Sequence, residues 1–498
     1  MSGIKKLAGQ TLWYGVSTIL GRFISYLLTP YFTYTISKEM FGEVNMLYAF
    51  IPFMNVLFTY GLETSFFRFS NTDDKQRVYR TTTISILVST IVLFTLLVIF
   101  RRPIAHLLLL EKHVEYVVIA ALIIALDALS TIPFAKLRQD GRPVRFAFVR
   151  LTGIFVNIFF VYFFISVCPK IEAAHPGSAF DLMYNKNWGV GYIFIANLLQ
   201  SLVTLLLLTR EFSGFRFKFD KELWKRIMVY SLPLIIVGFG GMINETIDRI
   251  MLGWLAPVAT EEAAKELIAV YSGCYKLSIL ITLGVQAFRM GAEPFFFKQA
   301  AQENAPKVYA RIMKFFVITL CFMFLFVMLY LDIWKLIFNR TYWEGLGVVP
   351  ILLFANMFLG IYYNLSIWYK LGNKTSAGAY ITIIGALITV AINYLLIPHF
   401  GYYASAWATF LCYGTMMVIS YSWGQKNYRI PYAHRKLIAF MIIAYLVYLL
   451  FTLFKRLELP SLWNYGVATV LMFLFMLFIL RVEKKEFQKI PVLRKLVR

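Results

Sequence analysis

The chain alternates between long stretches that are apolar at every position and short polar segments that separate them. As a helix, about 20 apolar residues cross the roughly 30 Å of a bilayer's hydrocarbon core. Residues 84–100 and 465–480 are apolar at successive rather than alternate positions, so the pattern favours helices over barrel strands. We predict fourteen membrane spans, at residues 11–36, 42–67, 80–100, 114–134, 144–168, 188–209, 226–255, 267–297, 308–330, 345–369, 375–397, 402–424, 435–454 and 462–480.

Composition agrees with this pattern. Of the 498 residues, 60% are hydrophobic and 15% are charged, and the mean hydropathy is +0.68. A soluble globular protein carries about 25% charged residues. We therefore predict an all-α polytopic membrane protein.

Basic residues are concentrated in alternate loops. An even number of spans puts both termini on one side, and the loops of that side hold 33 Lys and Arg against 11 on the other. The positive-inside rule therefore predicts cytoplasmic termini. The net charge of +23 reflects this topology and anionic headgroups, because the bases are scattered over eight short loops and form no patch for nucleic acid. The first span lacks a cleavage site, so we expect it to be retained.

One short motif occurs twice. Gly61-Leu62-Glu63-Thr64-Ser65-Phe66-Phe67-Arg68 and Gly291-Ala292-Glu293-Pro294-Phe295-Phe296-Phe297-Lys298 share the pattern Gly-x-Glu-x-x-Phe-Phe-base at an offset of 230 residues. The motifs close the second and eighth predicted spans, as expected for two six-helix halves related by a parallel pseudo-two-fold. We predict an N-terminal lobe at 1–215, a C-terminal lobe at 216–430, and two further spans with a basic cytoplasmic tail at 431–498. Transporters built in this way carry their solute between the lobes by alternating access.

Several stretches resemble the Wzx-type polysaccharide-transport flippases, which belong to the MOP superfamily with the MATE exporters and the lipid II flippases. These stretches are residues 12–34, the following Phe41-Gly42-Glu43-Val44, residues 231–249, the turn at 371–375, and residues 393–401. Their order and the number of spans carry the resemblance over nearly the whole chain. It implies a two-lobed fold that moves an oligosaccharide linked to undecaprenyl pyrophosphate from the cytoplasmic to the periplasmic leaflet of the bacterial inner membrane. The oligosaccharide would serve the synthesis of O-antigen, capsule or exopolysaccharide. The implied partners are this substrate, membrane lipids, a polysaccharide polymerase and glycosyltransferases.

Charged residues inside spans are costly and usually face a cavity or a partner. Arg22, in the first span, has no acidic residue three or four positions away, and a guanidinium matches the geometry of a phosphate. In the resembling family the first span of each half lines the central cavity. We therefore predict a cationic substrate-binding site formed by Arg22 with Arg150 and Lys276. The alternatives are an acid on another helix as the partner of Arg22, and a Lys276 that extends to the membrane surface.

Acidic and neighbouring polar residues inside the spans form a second group of candidates, because carboxylates within a helix bundle commonly relay protons or cations. We predict that Glu63 and Glu293 gate the cytoplasmic side by bonding to the opposite lobe when that side closes. The residues predicted for gating or ion coupling are Glu63, Glu293, Asp127, Asn244, Glu245, Asp248, Arg249 and Arg289. The i, i+4 spacing of Glu245 with Arg249, and of Arg289 with Glu293, leaves a neutralised packing pair as the alternative role.

The remaining chemistry is sparse. The four cysteines fall in different spans and the five histidines form no ligand pattern, so we predict neither a disulfide framework nor a metal site, and no cofactor beyond a coupling proton or sodium ion. We predict that the protein is not an enzyme, because the longest outer loop, 169–187, carries no convergent acid and base. The alternatives to a flippase are a MATE-like small-molecule exporter and a membrane polymerase or glycosyltransferase. Bases inside the spans favour an anionic cargo.

Overall fold

The computed structural model describes residues 20–488 except positions 22, 25, 176–183, 186–187, 214, 301, 373 and 459, and it describes only the backbone at 291, 293, 294 and 298. Within this described part, every regular element is a helix. Residues 26–35 are helical, and from Lys38 onward we number the α-helices in chain order. They are α1 Lys38–Thr59, α2 Leu62–Phe69, α3 Lys75–Ile99, α4 Arg101–Leu107, α5 Glu115–Gln139, α6 Pro143–Tyr162, α7 Cys168–Ala174, α8 Gly191–Leu208, α9 Lys221–Leu255, α10 Glu261–Gln299, α11 Ala305–Leu329, α12 Leu331–Trp334, α13 Val349–Leu365, α14 Ile367–Leu371, α15 Thr375–Phe400, α16 Tyr402–Asn427, α17 His434–Lys455, α18 Ser461–Val482 and α19 Lys484–Phe487.

Twelve helical stretches in the described part of the chain are long and apolar enough to cross a membrane. The helix α16 is not among these twelve, although it has 26 residues and coincides with the predicted span 402–424. The first predicted span, 11–36, is helical where the structure describes it. The prediction of an all-α polytopic membrane protein with about fourteen spans is confirmed.

Short polar residues set where several of these helices begin. Ser37, Asp74 and Asp220 precede α1, α3 and α9. Each side chain accepts a hydrogen bond from the backbone N–H three residues later, at 3.2, 2.7 and 2.9 Å respectively. Such caps satisfy backbone donors that have no partner within the first turn of a helix.

The predicted span 42–67 is interrupted between α1 and α2. Gly61 has a φ of 72°, a conformation that costs glycine little and other residues more. A Cβ at this position would also lie only 2.8 Å from the Cβ of Leu234 on α9. The first copy of the repeated motif therefore begins with glycine because the chain turns there against a neighbouring helix.

The described residues form two compact units. The first contains the chain up to Gly273 together with Thr382–Cys412, and the second contains Cys274–Ile381 with the chain from Tyr413 onward. In the first unit, α1 packs on α5 and α9, and α8 packs on α5 and α6; in the second, α11 packs on α13, α17 and α18. The predicted lobes are defined by sequence repetition, and their limits at 215 and 430 stay a prediction.

Candidate functional site

Within the first unit, α1 and α2 run along α9 and the beginning of α10, and polar contacts join them at both ends. At one end, which is predicted to be extracytoplasmic, Lys265 Nζ lies 2.9 Å from Glu43 Oε1. Both side chains are buried, with 3% and 8% of their surface exposed. A Cβ at Gly42 would lie 2.6 Å from the carbonyl carbon of Lys265, so the two backbones touch here. We call Gly42, Glu43 and Lys265 the outer contact.

The outer contact has a more exposed border. Lys112 Nζ lies 2.8 Å from Glu262 Oε1, and both side chains are largely exposed. The indole N–H of Trp254 donates to the backbone carbonyl of Leu107 at 2.7 Å. The buried pair is thus surrounded by contacts that connect the short helix α4 and the adjoining loop to α9 and α10.

Between the outer end and the opposite end, α1 and α9 are held together by close packing. A Cβ at Gly238 would lie 2.7 Å from Cγ1 of Val56, whereas a Cβ at Gly241 would meet nothing within 4 Å. Glycine at 238 therefore allows α9 to approach α1 closely, and glycine at 241 is not required by packing.

At the opposite end, which is predicted to be cytoplasmic, several smaller contacts join α2, α3 and the loop between them to α9. The hydroxyl oxygens of Ser65 and Ser231 lie 2.5 Å apart and are buried. Asp73 pairs with Arg226, and Asp220 pairs with Arg77. We call these six residues the inner contact.

Hydrogen bonds hold the pKa values of both inner aspartates below their ordinary value. For Asp73 the main cause is the hydrogen bond from Arg226. For Asp220 it is the backbone N–H of Leu223, to which the pairing with Arg77 adds. Both carboxylates are therefore ionised at neutral pH and available to bind the arginines.

Glu63 lies beside the inner contact but is not part of it. Its carboxylate pairs with Arg138 of α5, inside the predicted N-terminal lobe, and both side chains are about one-third exposed. The guanidinium of Arg138 also stacks over the ring of Phe67, 5.2 Å from its centroid. The side chain of the equivalent Glu293 lies outside the described residues. The predicted gating role of this acid pair stays a prediction.

The structure describes two of the three predicted cations. Arg22 lies outside the described residues. Arg150 is exposed on α6, with its guanidinium 6.0 Å from the ring of Phe146, and Lys276 is half-buried on α10. Because Arg150 belongs to the first compact unit and Lys276 to the second, their predicted assembly around Arg22 stays a prediction.

The predicted polar residues of the seventh span occupy two places on α9. Asp248 is buried and accepts hydrogen bonds from the hydroxyl of Tyr271 at 2.6 Å and from Arg249 Nη1 at 2.9 Å. The i, i+4 spacing had indicated Glu245 as the acid that pairs with Arg249, but Glu245 provides its backbone carbonyl, at 2.8 Å, and its side chain is exposed. The aspartate is favoured because it already lies against α10, where Tyr271 fixes it.

Asn244, one helical turn away, connects α9 to α15 and α16. Its amide nitrogen donates to the backbone carbonyl of Thr382 at 3.1 Å. Its amide oxygen lies 3.4 Å from the hydroxyl of Thr389 and 3.5 Å from the thiol of Cys412. This seam is mostly uncharged, and among the described residues no group of three or more His, Cys, Asp or Glu side chains is arranged to hold a metal ion.

Asp127 and Arg289 lie apart from these clusters. Asp127, on α5, accepts a hydrogen bond from the hydroxyl of Ser201 on α8 at 2.7 Å, inside the first unit. In the second unit, the guanidinium of Arg289 lies 4.0 Å from the ring centroid of Tyr363. Its predicted partner is Glu293, which the structure does not describe beyond the backbone. Neither residue takes part in the outer or the inner contact.

Three buried acids with clear partners were not predicted from the sequence: Glu43 of the outer contact, Glu211 and Glu483. The 2%-exposed carboxylate of Glu211 binds Arg142 at 2.8 Å and Arg145 at 3.2 Å. The 3%-exposed carboxylate of Glu483 binds Lys314 at 2.5 Å and Lys436 at 2.9 Å. The feature of the sequence that could have indicated the pairs of Glu43 and Glu211 is a charged residue within a loop of mostly opposite charge. Lys265 is the one base in an acidic predicted loop, and Glu211 is an acid in a basic one.

Comparison with known proteins identifies the family. The sequence model of the family described as polysaccharide biosynthesis protein matches residues 7–299, more than half of the chain. The chain belongs to this family. The matched region contains both the outer and the inner contact of this polysaccharide biosynthesis protein, whereas no curated protein matches its sequence.

Solved structures share the fold of this family member. The lipid II flippase MurJ in an inward-closed conformation has a TM-score of 0.70 at 12% identity, covering 94% of this chain and 98% of that chain. An inward-facing multidrug resistance MATE family transporter of the MOP superfamily has a TM-score of 0.59 at 15% identity, covering 86% and 95%. A MATE structure in the straight conformation has 0.57 at 13%, covering 88% and 96%. At these identities the likeness shows that this chain shares the fold of the three structures.

Proposed function

We propose that this protein is a flippase that moves an oligosaccharide linked to undecaprenyl pyrophosphate from the cytoplasmic to the extracytoplasmic leaflet of the bacterial inner membrane. One observation carries the proposal: a chain of the polysaccharide biosynthesis family has a fold that matches a lipid II flippase over 94% of its length. The cargo of that flippase is lipid II, as its name states. A transporter of this kind performs no covalent chemistry on its cargo.

The contacts of the first unit support alternating access. A flippase must open to each leaflet in turn, which requires contacts near both membrane surfaces that break and form again. The outer contact has one buried ion pair, and the inner contact has exposed ion pairs and a hydroxyl pair. Opening the outer contact of α1 with α10 while the inner contact with α9 stays joined, or the reverse, would expose the path to one leaflet only.

The substrate site in this proposal is the predicted cationic site. Arg22 binds the diphosphate as the substrate passes, and Arg150 and Lys276 assist. Arg22→Ala should then abolish export at normal membrane abundance, while Arg22→Lys keeps part of the activity because the charge survives without the bidentate geometry. If Arg22→Ala instead lowers abundance, the arginine neutralises an acid on another helix and the site assignment fails.

Coupling to a proton or sodium gradient belongs to the same proposal. The buried Asp248 and Asn244, one turn apart, and the half-buried Asp127 are the polar groups that would bind the coupling ion. Asp248→Asn should make transport in vesicles independent of the gradient or stop it, whereas Glu245→Gln serves as the exposed control on the same helix. A gradient dependence that Asp248→Asn and Asp127→Asn both leave intact would contradict this assignment.

The function itself is tested by genetics and by reconstitution. A deletion strain should lose a surface polysaccharide and accumulate its lipid-linked repeat unit on the cytoplasmic side. Purified protein in vesicles should make a lipid-linked oligosaccharide accessible to an added periodate or lectin reagent. Accumulation of the repeat unit on the outside would contradict a flippase and indicate a block in polymerisation.

Export of small molecules is the second candidate, because the fold also matches MATE transporters with TM-scores up to 0.59. This function predicts that deletion raises susceptibility to cationic drugs while the surface polysaccharide stays normal. The two outcomes are opposite, so a single deletion strain distinguishes the two cargoes.

A further inference from the structure

The segment that connects α8 to α9 has an unusual sequence for a polar loop. Residues 215–220 form no regular secondary structure and read Phe-Arg-Phe-Lys-Phe-Asp, so aromatic and basic side chains alternate along the first five positions. Phe217 is 80% exposed and Phe219 is 45% exposed, and Arg216 and Lys218 between them are also exposed. We call residues 215–220 the connector.

The connector is fixed at both ends to the first compact unit. Just before it, the backbone carbonyl of Glu211 accepts hydrogen bonds from Lys136 at 2.8 Å and from Tyr79 at 3.1 Å. At its end, Asp220 caps α9 and pairs with Arg77. The exposure of Phe217 therefore occurs in a segment that is held in place, and its position is set by these anchors.

Both neighbours of the connector locate it at the surface of the membrane. The helices α8 and α9 each belong to a stretch able to span the bilayer, so the residues that join them lie where the apolar core ends. On α9, Lys225 shares an exposed stripe with Val229, Leu232 and Ile236, which are 78%, 52% and 61% exposed. This stripe changes from apolar to basic between Val229 and Lys225, about two turns from the connector, as a lipid-facing helix does near the level of the headgroups.

A neighbouring loop on the same side shows that such aromatic exposure is not a general feature. The loop Ser70-Asn71-Thr72-Asp73-Asp74 contacts α9 through Asp73 and Arg226, so it lies on the same side as the connector. It contains no aromatic residue and no base. The connector differs from it in both respects, which are the two properties that an anionic lipid surface binds.

We propose that the connector is a membrane-surface anchor specific for anionic phospholipid, with Phe217 and Phe219 among the upper acyl chains and Arg216 and Lys218 at the phosphates. Removal of an exposed aromatic ring from water favours this position, and each base near an anionic surface strengthens it by about fivefold. Since Asp220 and Arg77 belong to the inner contact, the anchor holds one side of that contact at the lipid surface.

The test uses the full-length protein reconstituted into vesicles. Phe217→Cys is labelled with an environment-sensitive fluorophore, and Asn71→Cys with the same fluorophore is the control; the four native cysteines are buried and label poorly. In vesicles with phosphatidylglycerol, lipids brominated in the upper chain should quench the label at position 217 and leave that at position 71 unchanged. Pure phosphatidylcholine should give much weaker quenching at position 217.

A charge variant separates the lipid's charge from its apolar interior. Arg216→Gln with Lys218→Gln should reduce the docking equilibrium in phosphatidylglycerol by roughly thirtyfold, because two bases are lost. Equal exposure of positions 217 and 71 to water in all vesicles would overturn the proposal. Quenching at position 217 that is the same in both lipids and unaffected by the charge variant would overturn it too, leaving a plain aromatic contact. The assay measures no transport, so its outcome is independent of the proposed flippase function.

Discussion

The outer contact joins α1 to α10, the inner contact joins α2, α3 and the loop between them to α9, and the two contacts do so by opposite means. The outer contact is a single ion pair, Glu43 with Lys265, whose side chains are at most 8% exposed and whose backbones touch at Gly42. In the inner contact, the two arginines that bind Asp73 and Asp220 are more than half exposed. Separating the outer pair is costly, because each charge would then stay buried without its partner. The inner contact consists of pairs that water and salt screen, so each contributes little.

This difference indicates which end has the larger free-energy barrier to opening. Opening the outer end requires two buried charges to separate and become hydrated, whereas the inner end can loosen one pair at a time. We therefore expect the outer contact to determine stability and the inner contact to respond to solution conditions. Four experiments test this comparison, in order of decreasing expected effect.

The largest effect should come from locking the inner end. Ser65→Cys with Ser231→Cys places two thiols where hydroxyl oxygens now lie 2.5 Å apart, close to the roughly 2.05 Å of a disulfide. Oxidation should stop export completely, because the cytoplasmic side can no longer open, and a reductant should restore it. Each single variant is the control, and export that continues after complete cross-linking would show that the inner contact does not open during transport.

Breaking the outer pair should have the largest effect on stability. Glu43→Gln or Lys265→Met leaves one buried charge without its partner, which typically costs about 3–5 kcal/mol. The double variant Glu43→Leu with Lys265→Met removes both charges and should recover most of the loss. Thermal unfolding of the purified protein in detergent measures the three variants.

The exposed pair Lys112 with Glu262 provides the matched control for the outer pair. Lys112→Ala should leave the unfolding temperature unchanged, because solvent replaces the lost partner. If Glu43→Gln and Lys265→Met are each as stable as Lys112→Ala, the buried pair does not contribute more to stability than the exposed pair.

Backbone proximity at the outer contact should have a smaller effect. A methyl group at Gly42 would overlap the carbonyl of Lys265, so Gly42→Ala should destabilise the protein by about 1–3 kcal/mol as the helices move apart. Gly241→Ala is the matched control, since nothing lies within 4 Å, and it should stabilise α9 by about 0.5–1 kcal/mol. Thermal unfolding that shows the same sign for both variants would contradict the described packing.

The sequence predicted the helical membrane fold well because the length of its apolar stretches is a property of the chain itself, and the family was predicted from the stretches that resemble it. It did not predict the outer contact, because Glu43 and Lys265 are 222 positions apart and only tertiary packing brings them together. Spacing within one helix indicated Glu245 for Arg249, but contact with Tyr271 on another helix positions Asp248 there. Spacing within one helix therefore indicates the partner of a charged residue less reliably than tertiary packing does.

The smallest expected effect is the response of the inner contact to acid. The pKa of Asp73 lies below its ordinary value of 3.8, mainly because Arg226 donates a hydrogen bond to the carboxylate, and the pKa of Asp220 is lowered as well. A lowered pKa in the folded protein means that the stabilisation is complete above the ordinary value and is lost as the pH falls through the lower one.

Spin labels at Lys75→Cys and Glu222→Cys, both exposed beside the inner contact, should report a constant distance from pH 8 to about pH 5 and a longer or broader distance below about pH 4. Asp73→Asn with Asp220→Asn should abolish this step, and asparagine at 220 still caps α9, so the helix itself is preserved. A step that persists in this double variant would assign the acid response to other groups and leave the inner pairs without a role in it.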